Sequence, residues 1–131
     1  RLIFLNEVLL QLGLTAQTVH LRAEDGGKNA EHREKYDIAC ARAVARLNVL
    51  SEYCLPYVKK GGIFVAMKGP TANEEMVDAK KAIAILGGGQ SEIICETLPE
   101  NEQRSFIITK KISQTPPKYP RNSAKISKQP L

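Results

Sequence analysis

The stretch Y-D-I-A-C-A-R-A-V-A-R at residues 36–46 constrains the fold of this chain more than any other. Residues 37–41 form a short, mostly apolar run without strict alternation, which is typical of a central strand covered on both faces. Arg42 follows directly, so we predict a guanidinium at the carboxyl end of a buried strand, where open α/β sheets form their ligand crevice. On position alone, Arg42 either contacts a ligand or pairs with an acid at the rim.

Strand-like and helix-like patterns alternate along the rest of the chain. The spacing of apolar residues predicts helices at residues 1–12, 44–60 and about 71–86, and strands at residues 18–21, 63–67, 93–98 and 104–110. We interpret K-K-G-G at residues 59–62 as the end of the second helix and G-G-G at residues 87–89 as a stop after the third. This order predicts an α/β fold whose mostly parallel sheet ends in an antiparallel hairpin.

The charge is distributed unevenly. Residues 1–109 carry a net charge of −1, whereas residues 110–131 contain six Lys or Arg and no acid, a net charge of +6. Prolines are interleaved with these cations from Gln114 onward, so we predict an extended tail at residues 113–131 that packs loosely or not at all. Such a tail either meets phosphate backbones or acidic surfaces, or is a solvated segment without a function.

Several classes of site lack a signature here. The three cysteines are widely spaced and only two histidines accompany them, so we expect buried thiols in a reducing compartment and no metal site. No P-loop, nucleophile elbow or dinucleotide-binding glycine motif is present. No apolar run is long enough to span a membrane, and we expect a cytoplasmic protein.

Polar side chains follow three of the predicted strands. Ala23 and Glu24 come after the first strand, Arg42 after the second and Lys68 after the third. Because parallel strands end at the same edge of a sheet, we predict that these residues line one crevice. This arrangement indicates a ligand site without identifying the ligand.

The same residues carry a family resemblance. R-A-E-D at residues 22–25, A-R-A-V-A-R at residues 41–46, K-G at residues 68–69 and T-P-P-K-Y-P-R at residues 115–121 resemble the RsmG family, also called glucose-inhibited division protein B. The family comprises bacterial 16S ribosomal RNA guanine-N7 methyltransferases that use S-adenosylmethionine. The resemblance covers only the carboxyl-terminal half of the family, whose glycine-rich loop and acidic position lie further upstream. The first predicted helix also begins without a capping residue, so we expect a piece of a longer chain.

The resemblance implies a fold and a set of roles. It implies a partial Rossmann-like class I methyltransferase fold, with residues 1–112 as the carboxyl-terminal part of the catalytic domain and residues 113–131 as a basic, proline-rich tail. The cofactor contacts fall on Ala23, Glu24 and Arg42. Candidate contacts with the partner, 16S rRNA in the small ribosomal subunit, are Lys68, Lys118 and Arg121.

The absence of a paired acid and base fits this chemistry. N7 of guanine has a lone pair and no proton to lose, so methyl transfer from a sulfonium requires alignment of donor and acceptor rather than a general base. No catalytic residue is therefore assigned. Two alternatives remain: a non-catalytic RNA-binding or ribosome-associated module that acts through the tail, and a nucleotide-dependent oxidoreductase on a similar sheet.

Overall fold

A four-stranded mixed sheet of order β1-β2-β4-β3 forms the centre of this computed structural model, which describes residues 1–131. The strands are β1 (Tyr36–Arg42), β2 (Val58–Lys68), β3 (Gly88–Thr97) and β4 (Gln103–Lys111). The helices are α1 (Leu2–Gln11), α2 (Ala23–Gly26), α3 (Leu47–Cys54), α4 (Ala72–Ile85) and α5 (Ser123–Lys128). The pair β1 and β2 is parallel, while β4 is antiparallel to both β2 and β3. The predicted α/β class with a terminal antiparallel hairpin is confirmed, although only one of the strand pairs in this chain is parallel.

The hydrophobic core lies between one face of the sheet and two helices. Alternate residues of the central strands, among them Phe64, Ala66 and Ile107, are fully buried on this face. They pack against the apolar sides of α3 and α4, which supply Leu47, Leu50, Ala79 and Ile83, and against Leu86, which follows α4 directly. Side chains of a strand alternate between faces, so the remaining residues of β1, β2 and β4 point to the opposite side.

The opposite face carries no helix, and β1 lies at the edge of the sheet. Ile38 is 58% exposed and Cys40 is exposed, whereas Ala39 and Ala41 pack against the core. The prediction of a central strand covered on both faces is therefore wrong. An apolar run does not reveal how many neighbours a strand has; here β2 is the only strand that pairs with β1.

The amino-terminal segment packs little. Helix α1 forms as predicted and ends before Gly13, whose φ is +64°, but it buries no residue. The predicted strand at residues 18–21 is wrong, because residues 14–22 have no regular structure. A β-prone segment becomes a strand only when a neighbour pairs with its N–H and C=O groups, and this chain provides none.

The connections around β2 and β3 also differ from the prediction. Helix α3 ends at Cys54, and a 3₁₀ turn at Leu55–Tyr57 leads directly into β2. Pro56 lacks an N–H donor and does not continue the helix, so residues 59–62 lie in β2 rather than at a helix end. Gly87 ends α4 with a φ of +92°, while Gly88 and Gly89 already belong to β3.

The tail packs closely against the rest of the chain. Thr115, Tyr119 and Ile126 are buried, and α5 begins at the side-chain cap of Asn122. The prediction of a loosely packed tail is therefore wrong, because buried ion pairs and hydrogen bonds, described below, hold the tail to the rest of the chain.

Of the cysteines, only Cys54 packs against the core, where burial raises the pKa of its thiol to about 12. Cys40 and Cys95 are exposed, contrary to the expectation of buried thiols.

No helix of the structure is both long and apolar enough to cross a membrane.

Candidate functional site

A concavity of about 330 Å³ opens where β1 and β2 end. Arg42 and Ala43 contribute from the end of β1, Met67 to Gly69 from the end of β2, Glu75 from α4 and Arg104 from the start of β4. Ala43 has a φ of +53°, a left-handed conformation that turns the chain sharply after Arg42. The carboxyl ends of the two parallel strands thus form a small, charged depression, as the sequence predicts for Arg42 and Lys68.

Lys68 lies on the core side of the sheet and is buried. Its ammonium group is 2.8 Å from a carboxylate oxygen of Glu75 and donates to the carbonyl of Ala45 at 2.5 Å. Glu75 also accepts from the backbone N–H of Leu47 at 2.8 Å and from the hydroxyl of Thr71. This pair joins the ends of β1 and β2 to the first turns of α3 and α4. Lys68 therefore stabilises the rim of the concavity from the core side of the sheet.

The electrostatics of this pair follow from its hydrogen bonds. Burial alone raises the pKa of Glu75, but hydrogen bonds and the charge of Lys68 outweigh it and hold the pKa below its usual value. The Glu75 carboxylate is therefore ionised at neutral pH. The charges of Glu75 and Lys68 cancel, which leaves the concavity with the positive charges of Arg42 and Arg104.

Arg42 is exposed and takes part in none of the ion pairs of the chain. Its partner in the β1–β2 register is Met67, and both side chains point to the helix-free face. Pairing of β1 with β2 holds the backbone of Arg42 in place, while its guanidinium remains available to a ligand. This is the position that the sequence predicts for a ligand-binding arginine.

Ala23 and Glu24 lie in the short helix α2, away from this concavity. The carbonyl of Ala23 accepts a hydrogen bond from the hydroxyl of Tyr57 at 2.7 Å. Tyr57 immediately precedes β2, and its ring is 6.1 Å from that of Tyr36, the first residue of β1. The segment is thus fastened to residues at the amino ends of these strands.

The prediction of a common rim is therefore wrong for Ala23 and Glu24: Arg42 and Lys68 share a concavity at the carboxyl ends of the strands, and α2 lies at the amino ends. The physical reason is the missing strand at residues 18–21, since a segment that is not paired into the sheet has no register with the ends of the other strands. Glu24 is only 6% exposed and makes no hydrogen bond or ion pair through its side chain.

Arg33 fixes the tail to the segment that carries α2. Its guanidinium is part-buried and donates to four backbone carbonyls, those of Gly27, Thr115, Pro116 and Tyr119 at 2.7 to 3.2 Å. A Cβ on Gly27 would lie 3.0 Å from the ring of Pro120, so the two segments are also in close contact. The neighbouring Glu34 accepts from Lys111 and from the backbone N–H of Thr115.

A second buried charge pair holds the tail to α3. Arg121 donates to both carboxylate oxygens of Glu52 through its side chain, at 2.7 Å for the shortest contact, and also through its backbone N–H. The hydrogen bonds with Glu52 raise the pKa of Arg121. The Glu52 side chain is 1% exposed, so this ion pair is shielded from solvent. Lys118, in contrast, is exposed, with its ammonium 5.3 Å from the ring centre of Tyr119.

Four residues at or near the site were not predicted from the sequence: Arg104, Glu75, Arg33 and Glu52. Arg104 carried the same signal as Arg42, a cation next to an apolar strand, but at the start of the strand. Glu75 follows Thr71 by one helical turn in the first part of α4, a spacing that indicates a local pair. Arg33 and Glu52 have no such signal, because their partners lie 82 and 69 residues away in the chain.

Comparisons with known proteins agree with this architecture. The chain is similar to a solved structure of the Thermus thermophilus 16S rRNA N2 G1207 methyltransferase (RsmC), described in complex with AdoMet and guanosine. The TM-score is 0.54 at 16% identity, over 85% of this chain and 28% of that chain. At this identity the likeness shows the fold alone, and it confirms the predicted partial Rossmann-like methyltransferase fold.

Closer relatives share about half of their residues with this chain. It is 52% identical to the ribosomal RNA small subunit methyltransferase G of Lactobacillus acidophilus, over all of this chain and 55% of that protein. It is 55% identical to the protein of the same name from Acetivibrio thermocellus, over 98% of this chain and 53% of that protein. The chain thus spans about half the length of the curated relatives it matches. The family model described as GidB, rRNA small subunit methyltransferase G, matches residues 1–106, and the chain belongs to this family.

Proposed function

We propose that this chain is the carboxyl-terminal part of an S-adenosylmethionine-dependent methyltransferase that modifies N7 of a guanine in 16S rRNA. The observation that carries the proposal is the unpaired Arg42 at the carboxyl ends of the parallel strands β1 and β2, in a chain of this family. Ligands of open α/β sheets bind at this edge. The names of the relatives, which are small-subunit rRNA methyltransferases, support the same activity.

The residue types present suit the chemical groups of S-adenosylmethionine, although α2 and Arg42 lie at opposite ends of the β1–β2 pair in this structure. We propose Ala23 and Glu24 as contacts for its adenine and ribose portion and Arg42 as a contact for its carboxylate. Two of these residues have free binding capacity, because the carboxylate of Glu24 and the exposed guanidinium of Arg42 have no partner within the chain, and the Glu24 oxygens remain accessible to solvent.

The chemistry requires alignment and little else from these side chains. When bound, the cofactor supplies a methyl group on a sulfonium. Guanine N7 offers a lone pair without a proton, so no side chain has to accept one. The task of this part of the protein is to hold the two reactants in line, and the Lys68–Glu75 pair keeps the rim rigid for that purpose.

The remaining assignments concern the RNA and the tail. We propose 16S rRNA in the small ribosomal subunit as the partner, a cytoplasmic location, and residues 113–131 as a basic segment appended to the catalytic part at residues 1–112. Lys118 remains a candidate RNA contact, whereas the charges of Lys68 and Arg121 are engaged in internal ion pairs. Because Lys111 is likewise paired with Glu34, fewer tail cations face RNA than the sequence indicates. This weakens the alternative of a module that binds RNA through the tail alone.

We expect this chain by itself to bind S-adenosylmethionine weakly or not at all. In this structure Ala23 and Glu24 do not line the concavity that contains Arg42. The family's glycine-rich loop, in addition, lies outside the chain. Calorimetric titration of the chain should give no saturable heat at micromolar cofactor, while the complete Lactobacillus acidophilus relative serves as the positive control. Micromolar affinity of the chain alone would contradict this expectation.

A further inference from the structure

The second arginine of the concavity, Arg104, has no role in the proposed cofactor site. It lies at the start of β4, beside the end of β2, and lines the same depression as Arg42. In the register of the sheet, Arg42 lies opposite Met67, and Met67 lies opposite Phe106, two residues beyond Arg104. Because side chains alternate along a strand, Arg42, Met67 and Arg104 all point to the helix-free face.

The spacing of the two arginines suits one anion. They lie two strands apart and are offset by two residues, which places their Cα atoms about 12 Å apart from strand geometry. Arginine side chains extending toward each other across this gap reach a common group between them. A guanidinium presents a planar fork of donors that matches a phosphate in a bidentate geometry.

The surrounding charges favour an anion at this point. Lys68 and Glu75 neutralise each other beneath the rim, so Arg42 and Arg104 determine the charge of the concavity. Arg104 has two internal partners, the carboxylate of Glu102 in the adjoining loop and the backbone carbonyl of Gln103 at 3.1 Å. The side chains of Arg104 and Glu102 are about half exposed, so their ion pair is weak and exchangeable. A phosphate can therefore replace Glu102 at small cost.

We propose that Arg104 holds a phosphodiester of the acceptor RNA at the rim of the concavity, and that Arg42 contacts the same phosphodiester while the cofactor carboxylate assigned to it is absent. The inference rests on the proposed function and adds the place where the RNA backbone meets the site. A phosphodiester held here would fix the acceptor nucleotide beside the carboxyl ends of β1 and β2. Arg104 then acts as a substrate-binding residue.

The test is the salt dependence of RNA binding. A fluorescently labelled, single-stranded oligoribonucleotide that contains guanine is titrated with the 131-residue chain at several NaCl concentrations, and anisotropy gives the affinity. Each lost phosphate contact reduces the slope of log K against log[salt] by about 0.7 for a single strand. We expect that reduction for Arg104→Gln and for Arg42→Gln, and about twice as much for the double variant.

Two matched variants make the result specific. Lys60→Gln removes an exposed cation at the other end of β2 and should leave the slope unchanged. Glu102→Gln removes the competing carboxylate and should tighten binding about two- to fivefold, the range of an exposed ion pair. The Arg104 side chain is about half exposed and its ion pair with Glu102 is weak, so thermal unfolding of its variant should match the unsubstituted chain.

Two outcomes overturn the inference. They are absence of RNA binding by the unsubstituted chain, and a slope for Arg104→Gln equal to that of Lys60→Gln. Neither result decides the proposed methyl transfer, which is measured separately as 7-methylguanosine.

Discussion

Replacing Arg121 by methionine will lower the free energy of unfolding by about 3–5 kcal/mol, the cost of removing one partner of a buried ion pair. The substitution leaves the carboxylate of Glu52 buried, with the backbone N–H of residue 121 as its remaining donor. Globular domains are stable by about 5–15 kcal/mol, so a large part of the total would be lost. Urea unfolding followed by circular dichroism measures the change.

The matched control is Arg46→Met. Arg46 pairs with Asp78 at 2.8 Å, the same kind of contact, but both side chains are more than half exposed. Water solvates both partners there, so we expect a change of less than about 1 kcal/mol. Equal losses for the two variants would show that burial of the Glu52–Arg121 pair does not determine how the tail is held.

The Arg33→Met variant should release the tail. The substitution removes every hydrogen bond from the guanidinium to the carbonyls of Gly27, Thr115, Pro116 and Tyr119. Hydrogen bonds from a charged donor contribute about 1.5–3 kcal/mol each, although they do not add fully, so we expect a loss of about 3 kcal/mol or more. Amide hydrogen exchange should accelerate at residues 23–27 and 113–121, while the amides of β2 and β4 remain protected.

Two further variants separate this effect from a general loss of charge. Arg33→Lys keeps the charge but not the planar fork, and should restore only part of the protection. Lys118→Met removes an exposed tail cation and should leave hydrogen exchange unchanged. Protection of residues 113–121 in Arg33→Met equal to that of the unsubstituted chain would contradict the assignment of Arg33 as the link between tail and body.

The parts of the fold that depend on local patterns could be predicted from the sequence. Helices α1 and α4 and the hairpin of β3 and β4 follow from apolar spacing and turn residues close to them in the chain. The errors concern properties that neighbours decide. The apolar run of β1 has the composition of a central strand, yet its position at the edge depends on which strands pair with it.

In the candidate site, too, features set by local pattern could be predicted, whereas features set by contacts between distant residues could not. Arg42 was predictable because strand ends can be located from the sequence, and parallel strands share an edge. The burial of Lys68 was not, because it depends on the meeting of Glu75 and Ala45 at the same point in space. The close packing of the tail could not be predicted either, because Glu52 and Arg121 are 69 residues apart and neither position has a distinctive local pattern.

The central claim is that this chain forms the rim of a guanine-N7 methyltransferase site, and methyl transfer by a chimera tests it most directly. The chain is joined to the part of the Lactobacillus acidophilus relative that it does not span, and is incubated with S-adenosylmethionine and small subunits that lack the modification. We predict that mass spectrometry of the digested 16S rRNA detects 7-methylguanosine with the chimera, and none with Arg42→Gln or with the 131-residue chain alone. Absence of 7-methylguanosine while the complete relative forms it under the same conditions, or a methyl group on another guanine atom, would contradict the account.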